Sequence, residues 1–213
     1  VRKAWRCAVL ALGGDGQVAD EAAAELVRRY AQPHRRHHNL VHVEAVVRDA
    51  TGLAHRLGLA EVERALLVVA ACAHDVVYDG RPGEDEQRSA DWVEHWLTRA
   101  GVAAVHAARA AELVLATAAH TAPAGDLTAL ALLDADLAIL AAEEAGYDEY
   151  RAAVRQEYSA YDEAAWRAGR TKVLTELVSR EPLYATEAGR QLWEAAAKSN
   201  LARELRSLAA QDR

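Results

Sequence analysis

Two short stretches carry residue types able to do chemistry: His38-Asn39-Leu40-Val41-His42, and the dyad His74-Asp75, which closes a nearly unbroken apolar run from Ala65 to Ala73. A carboxylate and an imidazole at the end of so hydrophobic a segment are costly to desolvate unless something compensates them, and a bound metal ion is the commonest compensation. His38 and His42 are four residues apart, so on one helix their imidazoles share a face one turn apart. If Asn39 is instead the N-cap, His38 sits just before the helix and still points near its start. A second apolar segment, Ala129 to Ala142, brings Asp134 and Asp136 into the interior. Neutral imidazole suits borderline divalent metals and carboxylate suits harder ones, so a mixed set of two His and two Asp describes a catalytic metal site with positions open to water and substrate.

The elements that must hold these residues are helices. Helix formers dominate throughout, only four prolines occur, and β-branched residues never alternate over a strand-length window, which predicts an all-α fold. Gly and Pro punctuation places helices at about 2–12, 17–31, 39–57, 60–78, 85–100, 103–119, 126–142, 146–162, 165–180 and 186–210. The Ala65–Tyr78 stretch is apolar nearly all round, which predicts a central, surrounded helix. A chain of 213 residues is long enough for one sizeable core and short for two, so a single domain spanning 1–213 is expected, with its core over roughly 17–180 and helix 186–210 packed on it.

Composition narrows the function. Formal net charge is -7 with both signs interspersed, which leaves no electrostatic footprint for a nucleic-acid duplex but allows a small phosphate ester in a locally basic pocket. Cys7 and Cys72 belong to no CxxC or CxxH spacing, so neither a disulfide framework nor a zinc knuckle is expected, and a reducing cytoplasm fits. The apolar stretch Cys7–Leu12 is too short for a signal peptide, and no run reaches the roughly 18 to 20 residues of a membrane span. Abundant Ala, and Arg in preference to Lys, suggests a GC-rich bacterial source. Ala-rich helices permit a homodimer without requiring one.

The order His42, His74-Asp75, Asp136 resembles the H…HD…D signature of the HD superfamily of metal-dependent phosphohydrolases. The chain is similar to a small bacterial branch of that superfamily over residues 30 to about 205. The similar stretches are Arg35-Arg-His-His-Asn-Leu-Val-His, Ala73-His-Asp-Val-Val-Tyr-Asp, Glu86-Gln-Arg-Ser-Ala, Ala116-Thr-Ala-Ala-His, Asp134-Ala-Asp-Leu-Ala-Ile-Leu, Val154-Arg-Gln-Glu-Tyr and Gly169-Arg170. HD alone is a weak motif, whereas the ordered set is specific. The resemblance implies a helical bundle around a divalent ion (Mn, Mg, Fe, Ni, Co or Zn) held by His42, His74, Asp75 and Asp136. Asp134 is the rival for the last place, since it lies two residues away and about 200° round a helix.

His38-Asn39-x-x-His42 also resembles cyclic-nucleotide phosphodiesterases of the wider superfamily, which implies that His38 is the acid for the leaving oxygen. Asp79 falls near where other branches place a water-positioning carboxylate, and is a second candidate for proton transfer. Arg35, Arg36, Arg155 and Arg170 are candidate phosphate clamps, because a guanidinium offers a bidentate fork, and Arg35 is the best placed. Arg155 has a rival assignment in an interhelical salt-bridge network. His120 matches a family histidine and stands open between second-metal ligand, substrate contact and structural residue, while His37 stands where the family often has Tyr. The expected activity is hydrolysis of a small phosphorylated substrate, a nucleotide among the candidates, by water whose pKa the ion lowers from 15.7 toward roughly 7. Two alternatives remain: an HD-type diiron oxygenase drawing on His95 and His120, and a non-catalytic binding or regulatory protein that keeps the metal for stability.

Overall fold

The computed structural model describes residues 1–210, so the last three positions of the expected 1–213 domain lie outside the described residues. The described chain is all-helical, with no strand: α1 (Arg2–Ala11), α2 (Gly16–Tyr30), α3 (Leu40–Arg56), α4 (Glu61–Ala73), α5 (Glu84–Arg99), α6 (Ala104–Ala119), α7 (Leu127–Asp136), α8 (Glu144–Glu157), α9 (Glu163–Ser179) and α10 (Glu187–Ala210). A 3-10 segment, Leu137–Ala141, follows α7. No helix among the described residues is long and apolar enough to cross a membrane.

The chain divides into two compact units, Val1–Asp136 and a second that begins at Leu137. In the first, α4 is the central rod, packed against α1, α3, α5, α6 and α7. Its sequence explains the place: Ala65, Ala70, Ala71 and Ala73 let neighbouring backbones approach, and Leu67, Val69 and Cys72 fill the gaps between them with no exposed surface. Burial pushes the Cys72 thiol up to about 12, so it packs as a small neutral hydrophobe. Helix α1 belongs to this core, since Trp5 is buried and its indole N–H donates to Ala19 O at 3.1 Å.

Two helix ends differ from expectation, and both matter to the site. α4 stops at Ala73 rather than near residue 78, because tertiary partners take over the hydrogen bonds of the next turn, as described below. The predicted helix 126–142 tightens into the 3-10 segment directly after Asp136. The acidic start of α5 caps it and the turn before it: Glu86 accepts from Gly83 N, and the buried Asp85 accepts from Asp79 N and Arg81 N.

In the second unit, α10 packs on α9 and on the 3-10 segment. Leu140, Tyr147, Leu174, Leu183, Tyr184, Ala197 and Leu201 form its apolar core. Asn200 ties the chain entering that core by donating to Leu140 O and Ala142 O, each at 2.9 Å.

Candidate metal centre

Three chain segments of the first unit deliver side chains to one point, and a fourth stands beside them. Asn39 is the N-cap of α3: its Oδ1 accepts from Val41 N at 2.8 Å and His42 N at 3.4 Å, and its Nδ2 donates to Arg36 O at 2.6 Å. This settles the two sequence alternatives, since His42 lies in the first turn of α3 and His38 lies just before it. His74 is the C-cap of α4, Asp75 follows it, and Asp136 is the last residue of α7. His120 caps the C-terminus of α6.

The donor atoms converge. His42 Nε2 lies 3.2 Å from His74 Nε2, 3.5 Å from Asp75 Oδ2 and 3.3 Å from Asp136 Oδ1. His74 Nε2 lies 3.0 Å from Asp75 Oδ2 and 3.4 Å from Asp136 Oδ1. Donors about 2.1 Å from a shared ion stand about 3.0 Å apart along an octahedral edge and about 3.4 Å apart along a tetrahedral one, so this spacing fits a common ion. His42, His74 and Asp136 by themselves form a group whose ligand atoms all lie within 4.8 Å of one another.

Protonation chemistry points the same way. His74 Nδ1 is 3.0 Å from Ala71 O, an acceptor only, so Nδ1 carries a proton and donates, and a ring in its neutral form turns its Nε2 lone pair into the cluster. Burial opposes charge on all four groups, yet the Asp75 and Asp136 carboxylates sit well below their usual range because the imidazoles face them. Reciprocally, burial is outweighed at His42 and His74 by the same two carboxylates, and both imidazoles are raised, His74 strongly. The cluster thus attracts positive charge, which a proton supplies to an imidazole and a divalent cation supplies to the whole donor set. His42, His74 and Asp136, with Asp75 beside them, are a site that could hold a metal ion.

Around this centre, His38 stacks on Tyr78 with ring centroids 4.1 Å apart and planes 24° from parallel, and its centroid is 5.7 Å from that of His42. His37 packs 4.5 Å from the His42 ring. Burial, then the neighbouring His42 and His38, hold the His37 pKa well below the ordinary histidine value, so it is a neutral wall. His120 Nε2 reaches Asp136 Oδ2 at 3.0 Å, so Asp136 faces the His42–His74 pair through one oxygen and His120 through the other. His120 does this from a left-handed backbone, with φ of 47°.

The remaining sequence candidates have other partners. Asp136, rather than Asp134, joins the histidines; Asp134 is 2% exposed within the α7 packing. Asp79 is held by Arg88 at 2.6 Å, which lowers its carboxyl, after a turn that Asp85 anchors through Asp79 N. Arg35, expected to grip phosphate, is 5% exposed and donates to His38 O, Asp75 O and Val76 O at 3.1, 2.6 and 3.0 Å, with Gln32 Oε1 at 3.2 Å. It lies over the Tyr30 and Tyr78 rings and clasps the two site-bearing segments together. In the second unit, Arg170 is paired through Nε and Nη2 with Glu204, at 2.9 and 3.0 Å. Arg155 donates to Tyr158 O, Tyr161 O and Glu163 and lies over Trp166, so it takes the salt-bridge assignment. His95 lies exposed on α5 against Trp96.

Residues absent from the sequence-based set also shape the site. Tyr30 contacts the chain on both sides of His74, and Ser89 Oγ accepts from Val77 N at 3.0 Å, which pins the segment leaving Asp75. A Tyr closing an apolar helix face and a Ser inside an acidic helix carry no mark of such a job. No family model, no curated protein and no solved structure matches the chain.

Proposed function

We propose that this chain is a divalent-metal-dependent phosphohydrolase of the HD type acting on a small phosphate ester. The observation that carries the reading is the convergence of His42, His74, Asp75 and Asp136, in the chain order of the H…HD…D signature, with imidazole nitrogens and carboxylate oxygens 3.0 to 3.5 Å apart. A divalent ion in this donor set supplies Lewis-acid charge to phosphoryl oxygens and lowers the pKa of water. The His74 ring is held by Ala71 O, and the Asn39 cap holds the backbone from which His42 projects. His38 lies outside the donor set, 5.7 Å from the His42 ring and stacked on Tyr78, and is the group for protonating the leaving oxygen.

The test is metal analysis of the purified protein, then a screen of phosphomonoesters, nucleotides, cyclic nucleotides and pyrophosphates with Mn, Mg, Fe, Ni, Co and Zn. Metal-dependent phosphate release that Asp75→Ala abolishes, with the variant still folded, supports the reading. A folded Asp75→Ala protein with wild-type turnover overturns it. A diiron oxygenase is the second reading, favoured by the two faces that Asp136 turns to His120 and to the His42–His74 pair. Two irons per chain with substrate-dependent oxygen consumption would select it.

A further inference from the structure

A regular helix cannot aim two consecutive side chains at one point, because neighbours along the chain diverge by about 100°. His74 and Asp75 nevertheless bring Nε2 and Oδ2 within 3.0 Å. The hydrogen bonds show how. Were α4 to continue, Asp75 N would donate to Ala71 O and Val76 N to Cys72 O. Instead Asp75 N donates to the Tyr30 hydroxyl at 3.2 Å, and that hydroxyl donates to Cys72 O at 3.1 Å. Val76 N turns back to Ala73 O at 3.0 Å. Ala71 O, relieved of its backbone partner, receives His74 Nδ1 at 3.0 Å.

We propose that Tyr30 is a positioning residue for the metal centre: its hydroxyl, inserted into the hydrogen-bond ladder of α4 between Cys72 and Asp75, unwinds the helix after His74 and leaves Ala71 O to select the His74 tautomer that offers Nε2. The inference rests on the metal reading above for its purpose, and on these four contacts for its mechanism. A single O–H meets both demands, one as donor and one as acceptor. The Tyr30 ring ends α2 fully inside the core, so the hydroxyl arrives on a rigid support. The Arg35 clasp holds the same turn through Asp75 O and Val76 O.

Tyr30→Phe keeps the ring and deletes the hydroxyl. Asp75 N then returns to Ala71 O and competes with the imidazole, so the His74 ring loses its tautomer preference and the dyad splays. Nitrogen-15 NMR of the apoprotein at alkaline pH, where the imidazole is neutral, reports the tautomer directly. The wild type is expected to show His74 protonated at Nδ1, and Tyr30→Phe a mixture of both forms. Calorimetry with Zn²⁺ alone is expected to show affinity weakened about 10- to 100-fold in the variant, the range for loss of a group that orients a ligand.

Tyr184→Phe is the matched control. It removes a buried hydroxyl that donates to Leu137 O in the second unit, and is expected to lower the melting temperature without altering Zn²⁺ affinity. Wild-type His74 protonated at Nε2, or a Tyr30→Phe protein with unchanged tautomer and affinity, overturns the proposal. If Tyr30→Phe fails to fold, the wild-type tautomer still decides. If the wild type binds no Zn²⁺ but His74 shifts tautomer in Tyr30→Phe, the metal reading falls and the positioning mechanism stands.

Discussion

Each unit buries a knot of charge, and the two knots are built on opposite principles. In the second unit Arg170 meets Glu204 through two parallel N–H···O bonds, Tyr147 O–H donates to the same carboxylate at 2.6 Å, and the guanidinium lies over Tyr150. Donors and acceptors match, and the Arg170 charge is permanent. Burial opposes that charge, but Tyr150 and Glu204 outweigh it and hold the guanidinium ionised. In the first unit two carboxylates face two imidazoles whose charge depends on pH, and the nitrogens and oxygens turn toward a shared centre. A network that satisfies itself is structural. One whose imidazoles can release their protons could take a cation instead, and that distinguishes a brace from a candidate binding site even where burial and residue types look alike.

Removing a partner should therefore have different consequences in the two places. Glu204→Ala strands a buried guanidinium and should cost about 3–5 kcal/mol of stability, read by denaturant unfolding, while the folded fraction keeps its metal affinity. If metal affinity falls as well, the brace and the centre are energetically linked and the contrast fails.

A second distinction appears with pH. In the apoprotein the raised imidazoles of His42 and His74 contribute stability below the ordinary histidine range that is lost as pH rises through their elevated folded values. The depressed Asp75 and Asp136 contribute stability above the ordinary carboxylate range that is lost as pH falls through their lowered folded values. Apoprotein stability should peak between about pH 4 and pH 6.5 and decline above it, and a divalent ion should restore it on the alkaline side. Melting temperatures from pH 3 to 10, with and without metal, check this; an apoprotein no less stable at pH 9 than at pH 6 would contradict it.

The smallest effect concerns His120. Its left-handed backbone costs about 1 kcal/mol relative to glycine, so His120→Gly should leave stability unchanged or slightly higher while loosening Asp136 and weakening metal binding about 10-fold. A variant that loses stability and keeps metal affinity would make His120 a brace like Glu204.

Much of the site can be read from residue order alone. Desolvation physics marks His74-Asp75 after the Ala65–Ala73 run, and the spacing of His38, Asn39 and His42 marks a capped helix start. The choice between Asp134 and Asp136 has no local basis, because both lie in the same apolar helix and only its rotation against α3 and α4 turns one toward the histidines. Arg35 likewise has the type and place of a phosphate clamp, and only the path of residues 75–76 shows its donors committed to backbone carbonyls. Arg155 and Arg170 follow the same pattern with their partners in the second unit.

The sequence by itself determined that the chain is helical, where the helices start, which helix is central, and which side chains are too polar for their surroundings to lie there without a partner. These properties follow from local propensity, capping chemistry and hydrophobic periodicity, all of which act within a few residues. Only the tertiary structure decided where α4 ends, which aspartate completes the cluster and which nitrogen of His74 is presented. Each of those depends on one group brought from far along the chain: the Tyr30 hydroxyl set between Cys72 and Asp75, and Asp136 carried in by α7. A hydrogen bond across 45 residues of sequence leaves no periodicity to read, because its energy is realised only once the core has placed both ends together.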